Sequence, residues 1–203
     1  MAASVIANHE RRTTNNLQGW FLSEYLVPGL TVLLFIALAP FTPGLATGAG
    51  LLSILGYLLP LLVVAIGMTL VMITGGIDLS VTSIIALTSV VGAKLMTTDG
   101  GGAPSVVGLL VVLTGRLETG SPVLGREILL DIIGATVVGG TSLFGGKGKI
   151  AWTFFGVLFL TVLDNALNLM SLSQFSITMT KGAVILFAAV LDATRRRFAR
   201  QNA

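Results

Sequence analysis

The sequence predicts an all-α fold, a polytopic transmembrane helical bundle of about five or six spans with a broken helix near Gly75–Asp78. Three observations predict it. Of 203 residues, 54% are hydrophobic and only 10% are charged, against about 25% charged in an average soluble domain. Mean hydropathy is +0.94, and twelve Lys and Arg with nine Asp and Glu cannot keep the surface of a soluble fold of this length wet. The charges are also segregated: none falls between Glu24 and Asp78, about fifty residues and room for two spans of ~20 apolar residues each. Glycine, at 25 residues, suits helices whose backbones approach closely in lipid.

Taken in order, residues 1–25 are polar and read as a cytoplasmic tail held inside by Arg11 and Arg12, with no signal-peptide cleavage site. The transmembrane domain covers 26–193. Its first span runs from Leu26 to Phe41 and ends in a turn containing Pro40, Pro43 and Gly44. The second runs from Leu51 to Thr74, with a kink expected at Pro60. The helix breaks at Thr74-Gly75-Gly76, and Asp78 or Ser80 caps the next one, which is apolar to Met96. Thr97 to Pro104 is a glycine-rich linker, and Ser105 to Thr114 is apolar but only about half a span long. After the polar Arg116 to Glu127, the piece from Ile128 to Val138 is apolar except for Asp131 and too short to cross unaided. Gly139 to Lys149 is a glycine-dense loop. Ile150 to Met170 is a long span with a polar second half, and Ser176 to Leu191 is the last. Residues 194–203, with Arg195, Arg196, Arg197 and Arg200, form a basic cytoplasmic tail.

Few residues can carry function. Asp78 follows a Gly-Gly break in a charge-free region, where a charge must be capped, paired or wetted. A helix N-cap is favoured over direct ligand contact, although a discontinuous helix lining a cavity produces the same pattern. Thr161, Asn165 and Asn168 recur at helical spacing, with Asp164 adjacent, so the span from Ile150 carries a polar stripe. Such a stripe turns away from lipid, either towards a pore or into an interhelical hydrogen-bond seam. Lys181 is expected to snorkel from the outer end of the last span. Glu127 and Asp131 are spaced i, i+4 and are expected to form a solvated entry turn rather than a paired carboxylate site.

Several functions are excluded. The glycine loop lacks the G-x-x-x-x-G-K-[ST] pattern of a phosphate cradle, because Gly145 is followed by Gly146, Lys147 and Gly148. One histidine (His9, in the polar tail) and no cysteine leave no nucleophile triad and no metal-ligand cluster, so no enzymatic activity, cofactor or metal is expected. The net charge of +3 comes from cations beside apolar spans, a membrane pattern rather than a nucleic-acid one.

The run from Ala65 to Val81, AIGMTLVMITGGIDLSV, resembles the hallmark segment of monosaccharide ABC importer permeases, the inner-membrane translocators of the ribose, xylose and galactose type. The stretch from Val137 to Gly148, the Asp164 to Leu169 run, Lys181-Gly182 and Leu191-Asp192-Ala193 resemble the same family in the same order. The resemblance covers roughly residues 20 to 98 and 106 to 197. It implies a permease of the bacterial inner (plasma) membrane, dimeric with a second permease subunit. Such a permease is fed sugar by a periplasmic binding protein and driven by a separate cytoplasmic ABC ATPase, with both termini inside. The glycine loop (Gly139, Gly140, Thr141, Ser142, Phe144, Gly145, Gly146 and Lys147) would dock the ATPase. Asp78, Thr161, Asp164, Asn165 and Asn168 would line the substrate pathway. Family members carry a central block that this chain lacks, about three spans by length, which places a deletion junction near 98–108. Two other functions are compatible with the residues: a permease remnant without transport activity, and a small stand-alone secondary transporter with Asp78 and Asp164 as ion-coupling carboxylates. The sugar is not named by these residues.

Overall fold

The computed structural model describes residues 25–88 and 124–201. The N-terminal tail, the linker from Thr97, the apolar piece from Ser105 and the expected junction near 98–108 lie outside the described residues. Among the described residues every regular element is a helix: α1 (Leu26–Leu38), α2 (Gly48–Ile73), α3 (80–88), α4 (Leu124–Val138), α5 (Ile150–Leu169) and α6 (Gln174–Gln201).

Helix boundaries follow local chemistry. The turn after α1 holds Pro40, Pro43 and Gly44, the last at φ +98°. Thr47 then caps α2, accepting a bond from the Gly50 amide at 3.2 Å. α2 is continuous through Pro60 over 26 residues, about 39 Å at 1.5 Å per residue. It and the 20-residue α5 are long and apolar enough to cross a membrane. α4 begins at Leu124, four residues before its apolar part, and is 15 residues long. α6 starts two residues ahead of the expected Ser176 and runs without a break through the basic segment to Gln201.

α5 is the central helix, packing against α1, α2, α4 and α6. Pair contacts fix the directions. Tyr25 meets Trp152 edge-on at 6.0 Å, and the Thr31 hydroxyl reaches the Phe155 carbonyl at 3.5 Å, so α1 is parallel to α5. α2 is antiparallel to α5: the Thr69 and Thr153 hydroxyls meet at 2.8 Å, while Asn165 Nδ2 donates to the Gly50 carbonyl at 3.3 Å. α4 is also antiparallel, with Gly139 against Trp152 and Ala135 over Gly156. α6 runs parallel to α4, since Lys181 pairs with Asp131 and Ile185 lies over Gly134.

The core is built from Leu58, Ala65, Ala135, Val157, Leu160 and Leu163, with Ile177 of α6. The outer faces are apolar too. On α2 the exposed residues include Leu52, Leu55, Leu59, Val63 and Leu70; on α6 they include Met179, Leu186, Phe187 and Val190. A helix apolar on both its buried and its outward faces belongs in hydrocarbon. The fold is the all-α membrane bundle the composition predicts.

Candidate functional site

Two polar constructions interrupt this apolar bundle, one at each end. At the first end, α2 finishes at Ile73 and the chain passes through Gly75 at φ +85°. The glycine loop, residues 139–149, folds onto this break. Gly145 (φ +78°) sits so close that an added Cβ would lie 2.9 Å from both the Cα and the N of Gly75. The Gly146 amide donates to the Ile73 carbonyl at 2.8 Å, satisfying one of the orphan carbonyls of the helix end. Only glycine combines a left-handed φ with backbone-to-backbone contact. Inside the loop, the Ser142 amide donates to the Lys147 carbonyl at 2.9 Å, and Ser142 Oγ accepts from the Phe144 amide at 3.2 Å. Thr141 and Ser142 are buried, whereas Phe144 is 71% exposed at the loop tip. Lys147 and Lys149 are exposed at the loop's other limb. The loop is a hydrogen-bonded turn that exposes an aromatic ring and two lysines.

Asp78 lies just beyond the same break. Its Oδ1 accepts from the Ser80 hydroxyl at 2.6 Å and the Ser80 amide at 2.8 Å. The Ser80 hydroxyl first, then the amide, hold its carboxyl below the ordinary value. The cap expected of Asp78 is therefore present, at the start of α3.

The second construction lies towards the opposite end and was not anticipated. Lys181 is 6% exposed. Its Nζ lies 3.0 Å from Asp131 Oδ1, 3.1 Å from Asp131 Oδ2 and 2.9 Å from Asp164 Oδ1. Asn168 Nδ2 donates to Asp164 Oδ2 at 3.2 Å and to the Asp164 carbonyl at 2.9 Å. The expectation that Lys181 snorkels from the outer end is corrected: opposite charges on α4 and α5 hold it inside. Asp131 is likewise no solvated entry turn, because the helix begins about two turns earlier and carries it inward. Asp131 and Lys181 each sit seven residues into their helices, about 10 Å along the axis. The signal that could have found the cluster was the charges themselves, since ionisable groups in apolar spans pair with one another.

The polar stripe on α5 splits between two neighbours. Thr161 and Asn165 are buried, with Asn165 tied to α2, whereas Asp164 and Asn168 join the Lys181 cluster. Asp78 is at the far end from both, so the five stripe and break residues are not brought together at one point. Among the described residues no group of three metal-ligating side chains occurs.

No family model and no solved structure matches the chain. Over 93 residues it is 46% identical to the ribose import permease protein RbsC of Bacillus subtilis (strain 168), a match covering 43% of this chain and 29% of the relative. The ribose import permease protein RbsC of Escherichia coli (strain K12) is 44% identical over 93 residues, with the same coverage. The xylose transport system permease protein XylH of Escherichia coli (strain K12) is 42% identical over 88 residues, 43% of this chain and 22% of the relative. The matched region thus spans between 22% and 29% of the length of these relatives. Over 43% of its residues, this chain is a homologue of ribose and xylose permeases.

Proposed function

We propose that this chain is the membrane-spanning subunit of an ATP-driven ABC importer for a monosaccharide, shortened in its middle relative to full-length permeases. The observation that carries the reading is the glycine junction: a hydrogen-bonded loop with an exposed Phe144 and two lysines, bonded through Gly146 to the last turn of α2. A partner pressing on this loop would move α2 with it, and a bundle whose packed helices have discrete arrangements converts such a push into altered access. Similarity to ribose and xylose permeases supports the substrate class. Lys147, Lys149 and the basic end of α6 gather at the glycine-loop end, which fits a cytoplasmic face with both termini inside. In this reading the loop residues Gly139 to Lys147 dock a cytoplasmic ATPase, a periplasmic sugar-binding protein meets the other face, and a second permease subunit completes the translocator. Asp78, Thr161, Asp164, Asn165 and Asn168 serve the substrate pathway from separate points along it.

The test is co-purification of the tagged full chain from native membranes in mild detergent. An ABC ATPase should be recovered with it, and Phe144→Ala with Lys147→Glu should abolish that recovery while leaving the amount of folded permease unchanged. Absence of any ATPase from the wild-type preparation would overturn the reading.

A further inference from the structure

We propose that the last two turns of α6, which carry Arg195, Arg196, Arg197 and Arg200, are a contact site for the headgroups of anionic phospholipids in the leaflet at the glycine-loop end of the bundle. The inference needs only that the bundle sits in lipid, and it is independent of the importer reading.

The hydrocarbon boundary at this end is marked twice. The outward apolar side chains of α6 include Leu186, Phe187 and Val190, after which the sequence turns to Asp192 and the arginines. At the same end Tyr25 and Trp152 meet edge-on at 6.0 Å, with Tyr25 largely exposed, and such amphipathic rings settle at the headgroup level. The two marks coincide. Lys181 faces Asp131 and Ile185 lies over Gly134, so a residue of α6 is level with the α4 residue roughly fifty positions earlier. Gly139 packs against Trp152, and this register sets Val190 at that same level. α6 does not stop there. It is 28 residues long, about 42 Å at 1.5 Å per residue, against ~30 Å of hydrocarbon. On the same unbroken helix Arg195 lies about 8 Å and Arg200 about 15 Å beyond the boundary. Those depths start at the outer edge of a headgroup layer ~5–8 Å deep and stay within about one Debye length of it, ~8 Å at physiological salt. Arg196 and Arg200 are four positions apart and share a helix face, with Arg197 beside it. Four cations against the single Asp192 favour an anionic surface, and each cation close to one is worth about a fivefold change in binding.

Native mass spectrometry of the full chain in detergent, with equal amounts of phosphatidylglycerol and phosphatidylcholine of the same acyl chains, reads the preference directly and does not depend on how the chain was inserted. Wild type is expected to retain phosphatidylglycerol over phosphatidylcholine by about fivefold or more. Combining Arg195→Gln, Arg196→Gln, Arg197→Gln and Arg200→Gln should bring the ratio close to one, whereas lysine at the same four positions should keep most of the preference, because an anionic surface responds to charge. Should the fourfold glutamine variant not be recovered, Arg196→Gln with Arg200→Gln decides in the same way, with about half or less of the wild-type preference expected. Equal retention of the two lipids by wild type overturns the proposal. So does a preference that survives the glutamine substitutions, which would leave the arginines to set only the orientation of insertion. Loss of a co-purifying ATPase from the glutamine variant, with the lipid preference unchanged, would assign the arginines to that partner and overturn the lipid site as well. Failure to recover any ATPase from wild type bears on the importer reading alone.

Discussion

Replacing Lys181 with Met tests how the three helices that meet at its ammonium are held. The ammonium lies within 2.9–3.1 Å of three carboxylate oxygens, and methionine keeps most of the stem while removing the charge. The two carboxylates of α4 and α5 then lose the ammonium that lies between them. Breaking a buried ion pair by deleting one partner costs ~3–5 kcal/mol. Because the aspartate side chains retain 22% and 30% exposure, water and headgroups relieve part of the repulsion, and the lower end, about 3 kcal/mol, is expected. Equilibrium unfolding in mixed micelles with increasing SDS, followed by helical circular dichroism, measures this as a shift in midpoint. The companion variant Asp131→Leu, Lys181→Met, Asp164→Leu removes all three charges and should return to within ~1 kcal/mol of wild type, since well-packed apolar groups replace buried ion pairs at little cost. A loss below ~1 kcal/mol for Lys181→Met, or a triple variant no better than the single one, would refute this account of the cluster.

Three further predictions concern other contacts. A Cβ at Gly156 would collide with the Ala135 carbonyl and come within 2.7 Å of the Gly139 amide nitrogen; because both are backbone, Gly156→Val should destabilise by about 3 kcal/mol or more in the same unfolding assay. Asn165→Leu removes the α5 bond to the Gly50 carbonyl, and its cost should be about 0.6 kcal/mol, typical of an interhelical hydrogen bond in lipid. Asp78 has a carboxyl held below its ordinary value of 3.8 by Ser80. Its capping contribution is therefore complete above that pH and is lost as pH falls through the lower folded value. NMR of the Ser80 amide should show the start of α3 loosening only below the ordinary carboxylate range, and Asp78→Asn should erase that dependence.

The fold was largely legible because hydrophobic length is a direct consequence of the solvent. Leu26, Gly48, Ile150 and Gln174 begin helices within three residues of where the apolar runs predict them, and the breaks at Gly44 and Gly75 fall where left-handed backbone is needed. The capping of Asp78 was readable for a similar reason, as it is local. Lys181 was misread because its position within an apolar run gives depth but not direction. Only the packing of α4 beside α6 reveals that Asp131 stands opposite it. The meeting of Gly75 with Gly145, 70 positions apart, was likewise invisible: each glycine read as a turn, and neither periodicity nor composition pairs one turn with another.

The orientation of α4 sets a rule for the stretch between it and α2. α2 finishes at the end of the bundle that carries the glycine loop, and α4 sets out from the opposite end, so the chain between them has to begin at one end and finish at the other. A C-terminal half set the other way up would carry the glycine loop away from the end of α2 that it grips.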